Sequence, residues 1–259
     1  MNDLVKFWRD CDLERPPYIH PLDKAAVGAR FNKLFDEQVK TPTEFVAGPR
    51  FGNFKDNRFH LSLLPVPFMG CLDRAEIFIL LLNPGFGFGS YEEDADPEKA
   101  EMLRRSVRQE LDGVEFPFVS LNPQFSWTAG FRWWEGKLRS VIRAHAAERQ
   151  SNYLASLQAF ASRLACIELV AYRSAQFGGG SIAQKLPSCR AARQFVESVL
   201  LPRAQKGEIK LIVTRQVRQW GLNSGDHVVL YEGGLTRGAP LGPTTPGGKA
   251  ILAQMKKSF

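Results

Sequence analysis

Residues Ala75 to Gly89 read AEIFILLLNPGFGFG. The apolar run Ile77 to Leu82 is too short to cross a membrane and suits a strand buried on both faces of a parallel sheet. It stops at Asn83-Pro84-Gly85, a turn signal, and continues as a Phe/Gly loop. In open α/β sheets, ligands collect where strands give way to loops at their carboxyl ends. Two readings stand side by side. One is a tight turn after a core strand, with Asn83 chosen for its turn chemistry. The other is a small-ring pocket built from the Asn83 amide, flexible glycines, Phe86 and Phe88.

Outward from this strand, the downstream sequence alternates. ACIELVAY (Ala165 to Tyr172), KLIVT (Lys210 to Thr214) and HVVLY (His227 to Tyr231) read as further strands. Helices are expected over Trp133 to His145, Asn152 to Leu164, Ser188 to Leu200 with Ser188 as N-cap, Gln216 to Trp220, and Gly247 to Lys257. Upstream, Lys24 to Val39 predicts a helix with Val27, Phe31, Leu34 and Phe35 on one face. The acidic stretch Tyr91 to Glu101 is expected to be exposed and to open a helix running to about Leu111. Four strands separated by helices predict a three-layer α/β/α sandwich around a central, mostly parallel four-stranded sheet. No repeat or linker interrupts residues 1–259, so one α/β domain is expected, with 1–65 as a helical or irregular N-terminal extension.

A chain of 259 residues with 44% hydrophobic content can bury a full core. No run of about 18 apolar residues and no charged-then-apolar leader is present, so a soluble, unexported, cytoplasmic protein with no membrane contact is expected. Cys11, Cys71, Cys166 and Cys189 contain no C-x-x-C pair, and His20, His60, His145 and His227 show no H-x-x-x-H spacing. The cysteines read as reduced, packed thiols, and neither a metal nor a cofactor is expected. The formal net charge of +7 is unevenly spread: residues 1–140 carry 18 basic and 21 acidic side chains, and 141–259 carry 16 and 6. A polyanion such as DNA is the natural partner of the second half, unless the charge serves only solubility.

If the strands are parallel, their exits bring together Asn83, Phe86 and Phe88; Tyr172, Arg173 and Ser174; Arg215 and Gln216; and the loop Glu232 to Gly248. That loop, EGGLTRGAPLGPTTPGG, is either a surface excursion or a phosphate-accepting segment with Thr236, Arg237, Thr244, Thr245 and Lys249. It is not a P-loop, and GFG at Gly87 to Gly89 is not a dinucleotide fingerprint. Glu168, within ACIELVAY, needs a partner such as Arg173 or Arg215, either as a core ion pair or in a catalytic role. No Ser/His/Asp or Cys/His nucleophile set is visible.

LLNPGFG (Leu81 to Gly87), with its lead-in VPFMGCLDRAEI (Val66 to Ile77), resembles the first motif of the uracil-DNA glycosylase superfamily, in its mismatch-specific and single-strand-selective branches. The later strands follow in the same order, so the resemblance runs from Val66 to the C-terminus. It implies that Asn83 positions the water attacking the sugar C1′, that Phe86 or Phe88 stacks on an extruded base, and that the basic half binds phosphates. Tyr172, Ser174 and Glu168 would complete the base pocket, and Arg173, Arg215, Gln216, Thr236, Thr245 and Lys249 would contact DNA. A neutral amide cannot be a full general base, so the chemistry would be dissociative, with the leaving base stabilised as an anion.

The sequence departs from the family at its second motif. A His-Pro-Ser loop is expected after the fourth strand, and GGLTRGAPLG (Gly233 to Gly242) has no histidine. Arg237 would supply positive charge there. The insertion between Gly89 and Phe116, with Trp127, Trp133 and Trp134, points to a modified or bulkier base, although the tryptophans themselves read as core residues. The function expected is that of a monomeric DNA glycosylase-like enzyme, on single or double strands. The alternatives are a non-catalytic nucleic-acid-binding protein on the same fold and a nucleoside or nucleotide hydrolase.

Overall fold

A computed structural model describes residues 2–28, 35–36, 39–53, 55–178 and 180–257. The chain divides into two compact units, each assembled from three separate segments. The first comprises Met1–Phe68, Leu82–Glu110 and Glu168–Phe195; the second comprises Met69–Leu81, Leu111–Ile167 and Val196–Phe259. Residues 1–65 therefore belong with 82–110 and 168–195.

Seven strands are described: β1 (Phe35–Asp36), β2 (Phe59–His60), β3 (Phe68–Met69), β4 (Ile77–Leu81), β5 (Leu164–Glu168), β6 (Lys210–Val213) and β7 (Val228–Leu230). β1 and β2 form a short parallel pair in the first unit. The others form a mostly parallel five-stranded sheet in the order β3-β5-β4-β6-β7. The fold is mixed α/β, and the four expected strands become five. The additional strand, β3, is only two residues long and ends at Gly70 (φ +89°), so no alternating pattern announces it.

β4 is central, and all five of its residues are buried. It pairs parallel with β6 in the register Ile77↔Lys210 to Leu80↔Val213, and β6 pairs parallel with β7 from Leu211↔Val228 to Val213↔Leu230. Its last carbonyls are satisfied on exit: Leu80 O accepts from the Thr214 backbone N–H and hydroxyl, both at 3.1 Å, and Leu81 O accepts from the Trp220 indole N–H at 3.2 Å. A strand with no solvent face needs these donors, because an unpaired carbonyl there would cost its full desolvation.

Most helices start where short polar side chains can take up otherwise unpaired N–H groups. Asp96 accepts from Lys99 N–H at 2.8 Å, Thr128 from Phe131 N–H at 3.1 Å, Asn152 from Ala155 N–H at 2.8 Å, and Thr245 from Gly248 N–H at 3.1 Å. The helices run Pro97–Arg108, Ala129–Glu148, Tyr153–Arg163 and Pro246–Lys256, close to the spans read from sequence.

Four expectations change. The helix from Lys24 stops at Val27, because Gly28 adopts φ +51°. Phe35 lies in β1, and Phe31 and Leu34 lie outside the described residues. Strand β5 ends at Glu168 rather than at Tyr172. Ser188 lies inside the helix Pro187–Phe195 rather than capping it, and its backbone N–H donates to Asp23 Oδ1 at 2.9 Å. The acidic stretch after Tyr91 is not simply solvated, since the side chains of Glu93 and Asp94 are both buried.

Gly70 fixes the packing of β3 against β5. A Cβ there would lie 2.3 Å from Leu164 O and 2.9 Å from Ala165 Cα, on a left-handed residue. Gly70→Ala is expected to lower the unfolding free energy by about 3 kcal/mol or more in denaturant titrations. Gly136→Ala, on the helix Ala129–Glu148 with open space around it, is expected to raise it by up to about 1 kcal/mol.

Candidate functional site

Asn83 stands two residues beyond the end of β4, in the first unit. Its Nδ2 donates to Ser174 Oγ at 3.0 Å, Pro84 O at 3.1 Å and Tyr172 O at 3.4 Å. Two of these partners are carbonyls, which only accept, so the nitrogen end of the amide is the end turned toward them. Oδ1 has no protein donor among the described residues, and Asn83 is partly exposed. A Gly85↔Ser174 parallel bridge ties the same two chain segments together. The turn is therefore also a device that grips one half of an amide and leaves its acceptor free.

The Phe/Gly loop is anchored by aromatic packing. Phe86 lies flat on the His60 imidazole, with ring centroids 4.0 Å apart and planes 6° apart, and meets Phe45 edge-on at 5.3 Å. Phe88 packs against Phe51 at 5.1 Å and Phe45 at 6.2 Å. Both rings are half-buried, and one face of Phe86 is already occupied by the imidazole.

His60 was not expected at a site, yet it organises this corner. Its Nε2 lies 3.1 Å from Arg50 Nη2 and its Nδ1 2.9 Å from the Tyr91 hydroxyl. A guanidinium can only donate, so Nε2 is the unprotonated acceptor and Nδ1–H donates to Tyr91. Burial, reinforced by the Arg50 charge, pushes the imidazole down to about 3, so it stays neutral. Burial likewise raises the Tyr91 phenol. Arg50 in turn bonds the Asp56 carboxylate; burial opposes ionisation of Asp56, but the hydrogen bonds from Arg50 and the Arg58 N–H outweigh it and hold its pKa low.

A second buried group centres on Asp94. Its carboxylate receives Leu64 N–H at 3.0 Å, Lys99 Nζ at 3.2 Å and Arg173 Nη1 at 3.2 Å, and Lys99 also lies 3.5 Å from Glu93. Arg173 was expected to contact DNA, but its side chain is only 8% exposed and is neutralised by Asp94, so it is not a phosphate-binding surface. Tyr172 is similarly displaced from its expected role. Its ring is 1% exposed, among Trp8, Phe35 and Phe59, and its hydroxyl donates to Asp23 Oδ2 at 2.6 Å. Tyr172 serves Asn83 through its carbonyl, not through its ring. Ser174 meets Asn83 directly, and Glu168 is buried at the end of β5.

The remaining expected residues belong to the second unit. Arg215 and the left-handed Gln216 (φ +54°) follow β6 and are exposed, as are Arg237 and Lys249. Thr236 Oγ1 donates to Gly233 O at 2.7 Å, and Thr245 Oγ1 donates to Gly242 O at 2.8 Å while capping the last helix. The glycine-rich segment is fastened rather than loose. Tyr231 OH donates to Pro240 O at 2.5 Å and accepts Gly247 N–H at 3.2 Å, and Lys137 Nζ donates to Gly238 O. A Cβ on Gly248 would lie 1.8 Å from Gly242 O, so glycine is required for the helix to start this close to the loop. Of the three tryptophans, Trp134 is core, whereas Trp127 and Trp133 are 47% and 44% exposed.

All four cysteines are buried, and burial pushes the Cys11 and Cys189 thiols up to about 12, which leaves them poor nucleophiles. Among the described residues no group of three or more His, Cys, Asp or Glu is arranged to hold a metal ion, and no helix is long and apolar enough to cross a membrane. The site can therefore offer a fixed amide acceptor and an aromatic face.

Removing one member of the Asp94 group leaves buried charge uncompensated, so Asp94→Asn is expected to cost about 3–5 kcal/mol in stability. His60 gives a pH signature. Its folded value near 3 lies below the unfolded 6.5, so the unfolded chain takes up the proton first as pH falls. Stability held above pH 6.5 is progressively lost toward pH 3, and His60→Gln is expected to flatten that slope in denaturation measured across the range.

No family model, no curated protein and no solved structure matches this chain.

Proposed function

We propose that the protein is a DNA glycosylase-like enzyme that extrudes a modified or damaged base and hydrolyses its N-glycosidic bond. The observation that carries this reading is the Asn83 amide, gripped through Nδ2 with Oδ1 free beyond a central strand. An oxygen held this way accepts a hydrogen bond from water and sets its position, which is the role a neutral amide can fill. The C1′–N bond breaks with its electron pair leaving on the base, the water oxygen bonds to C1′ and gives its proton to solvent, and the base anion takes up a proton from solvent. Phe86, with one face backed by His60, offers the other to the extruded ring.

In this reading Arg215, Gln216, Thr236, Arg237, Thr245 and Lys249 of the second unit take DNA phosphates through exposed cations, an amide and hydroxyls. The relationship to the uracil-DNA glycosylase superfamily, the three-layer α/β/α arrangement, and action as a cytoplasmic monomer belong to the same proposal. A second reading, a nucleic-acid-binding protein without catalysis, is favoured by the lack of histidine in Gly233 to Gly242.

Base release from oligonucleotides carrying uracil, hypoxanthine, xanthine or bulky cytosines tests both readings. Asn83→Ala is expected to lower kcat by roughly 10²–10³-fold, the scale of losing one positioned polar group, with DNA affinity nearly unchanged. Ser174→Ala, which frees the amide to rotate, is expected to lower kcat by a smaller factor at unchanged KM. Full activity in Asn83→Ala removes the amide from the chemistry. Binding without release of any base selects the non-catalytic reading, and turnover of free nucleosides without DNA affinity selects the nucleoside or nucleotide hydrolase.

A further inference from the structure

The helix Ala129–Glu148 of the second unit carries two adjacent tryptophans with opposite fates. Trp134 faces inward against Phe118, with centroids 4.8 Å apart at 80°. Trp133, about 100° further round the helix, keeps 44% of its surface in solvent. One turn later Lys137 rises on the same side, and its ammonium lies 5.4 Å from the Trp133 ring centroid while donating to Gly238 O. Burial and the positive charge of Arg215 together push the Lys137 ammonium below its ordinary value. Among the described residues neither Lys137 nor Arg215 has a carboxylate partner. The Lys137 ammonium, within electrostatic reach of Arg215 and without a carboxylate partner among the described residues, stands beside a large apolar ring that water has to cover. An anion between the cations relieves their repulsion, and a flat ring laid on the indole removes its exposed surface.

We infer that Trp133, Lys137 and Arg215 form a landing site for single-stranded DNA, the indole stacking on an unpaired base and the two cations holding its flanking phosphate. A duplex does not satisfy this arrangement, because its base faces are already stacked and out of an indole's reach. The inference rests on the reading that DNA is the partner. It does not depend on the excision chemistry, and it chooses the strand state that the sequence leaves open.

Fluorescence anisotropy with a labelled oligothymidine and a hairpin duplex of equal length tests it, using the full chain. Wild type is expected to bind the single strand more tightly than the duplex. Trp133→Ala weakens single-strand binding about tenfold or more, and Trp133→Phe retains most of it. Lys137→Ala lowers the slope of log affinity against log salt by about 0.7, one phosphate's worth on a single strand. Trp127→Ala, equally exposed but with no cation over its ring among the described residues, leaves binding unchanged. An unaltered Trp133→Ala affinity, an equal loss in Trp127→Ala, or preference for the duplex overturns the inference while leaving DNA as the partner. Failure of wild type to bind either DNA removes the partner, and the inference with it.

Discussion

Charge balance in a place with almost no water is the constraint on which the first unit depends. Glu93 and Asp94 face Lys99 and Arg173, two negative against two positive, all four side chains 8% exposed or less. Each of these groups, left alone, would cost several kcal/mol to desolvate, so they persist only as a set. The members come from the acidic helical stretch and from the chain leaving β5, and Leu64 N–H adds the approach to β3. Arg173 is adjacent in sequence to both Tyr172 and Ser174, whose oxygens grip Asn83. Holding Arg173 at Asp94 therefore sets where the Asn83 amide points.

The aromatic corner follows the same rule by other means. The Asp56–Arg50–His60–Tyr91 chain satisfies a buried guanidinium and a buried imidazole without a net charge. A neutral imidazole of defined tautomer is flat and fixed, which makes it a firm backing for Phe86. The loop after Asn83 is rich in glycine, yet its aromatic side chains are not adrift. Rigid support beneath a mobile-looking sequence is what a site needs if it is to hold a planar group in one orientation.

Local pattern carried much of the fold. The apolar run of β4, the β-branched cores of β6 and β7, and the polar caps at Asp96, Thr128, Asn152 and Thr245 are all short-range signals. What escaped was long-range. Asp94 sits 79 residues from Arg173 in the chain, and nothing in either neighbourhood reports the pairing. Tyr172 stands at a strand exit in the sequence and belongs to the expected base pocket, but Asp23, 149 residues away, takes its hydroxyl into the core. Asn83 was legible as a strand-end amide; the direction it faces was not, because that depends on Ser174 and the Tyr172 carbonyl, 91 and 89 residues on. Trp133 and Trp134 share a residue type, and only the helix phase separates a core ring from an exposed one.

The way the chain is threaded has a consequence for how the molecule is made. The path passes between the two units at Phe68, Leu81, Glu110, Ile167 and Phe195, so neither unit is a continuous stretch. On a ribosome working from the N-terminus, the first 110 residues emerge with the acidic helical stretch but without Arg173. Lys99 is then present to pair with Glu93 and Asp94, but the Arg173 partner of Asp94 is not. The interior of the first unit closes only after the segment Glu168–Phe195 has been synthesised, when the second positive charge arrives. Burial of the Asp94 carboxylate is thus tied, through its pair with Arg173, to the segment of this unit that is made last.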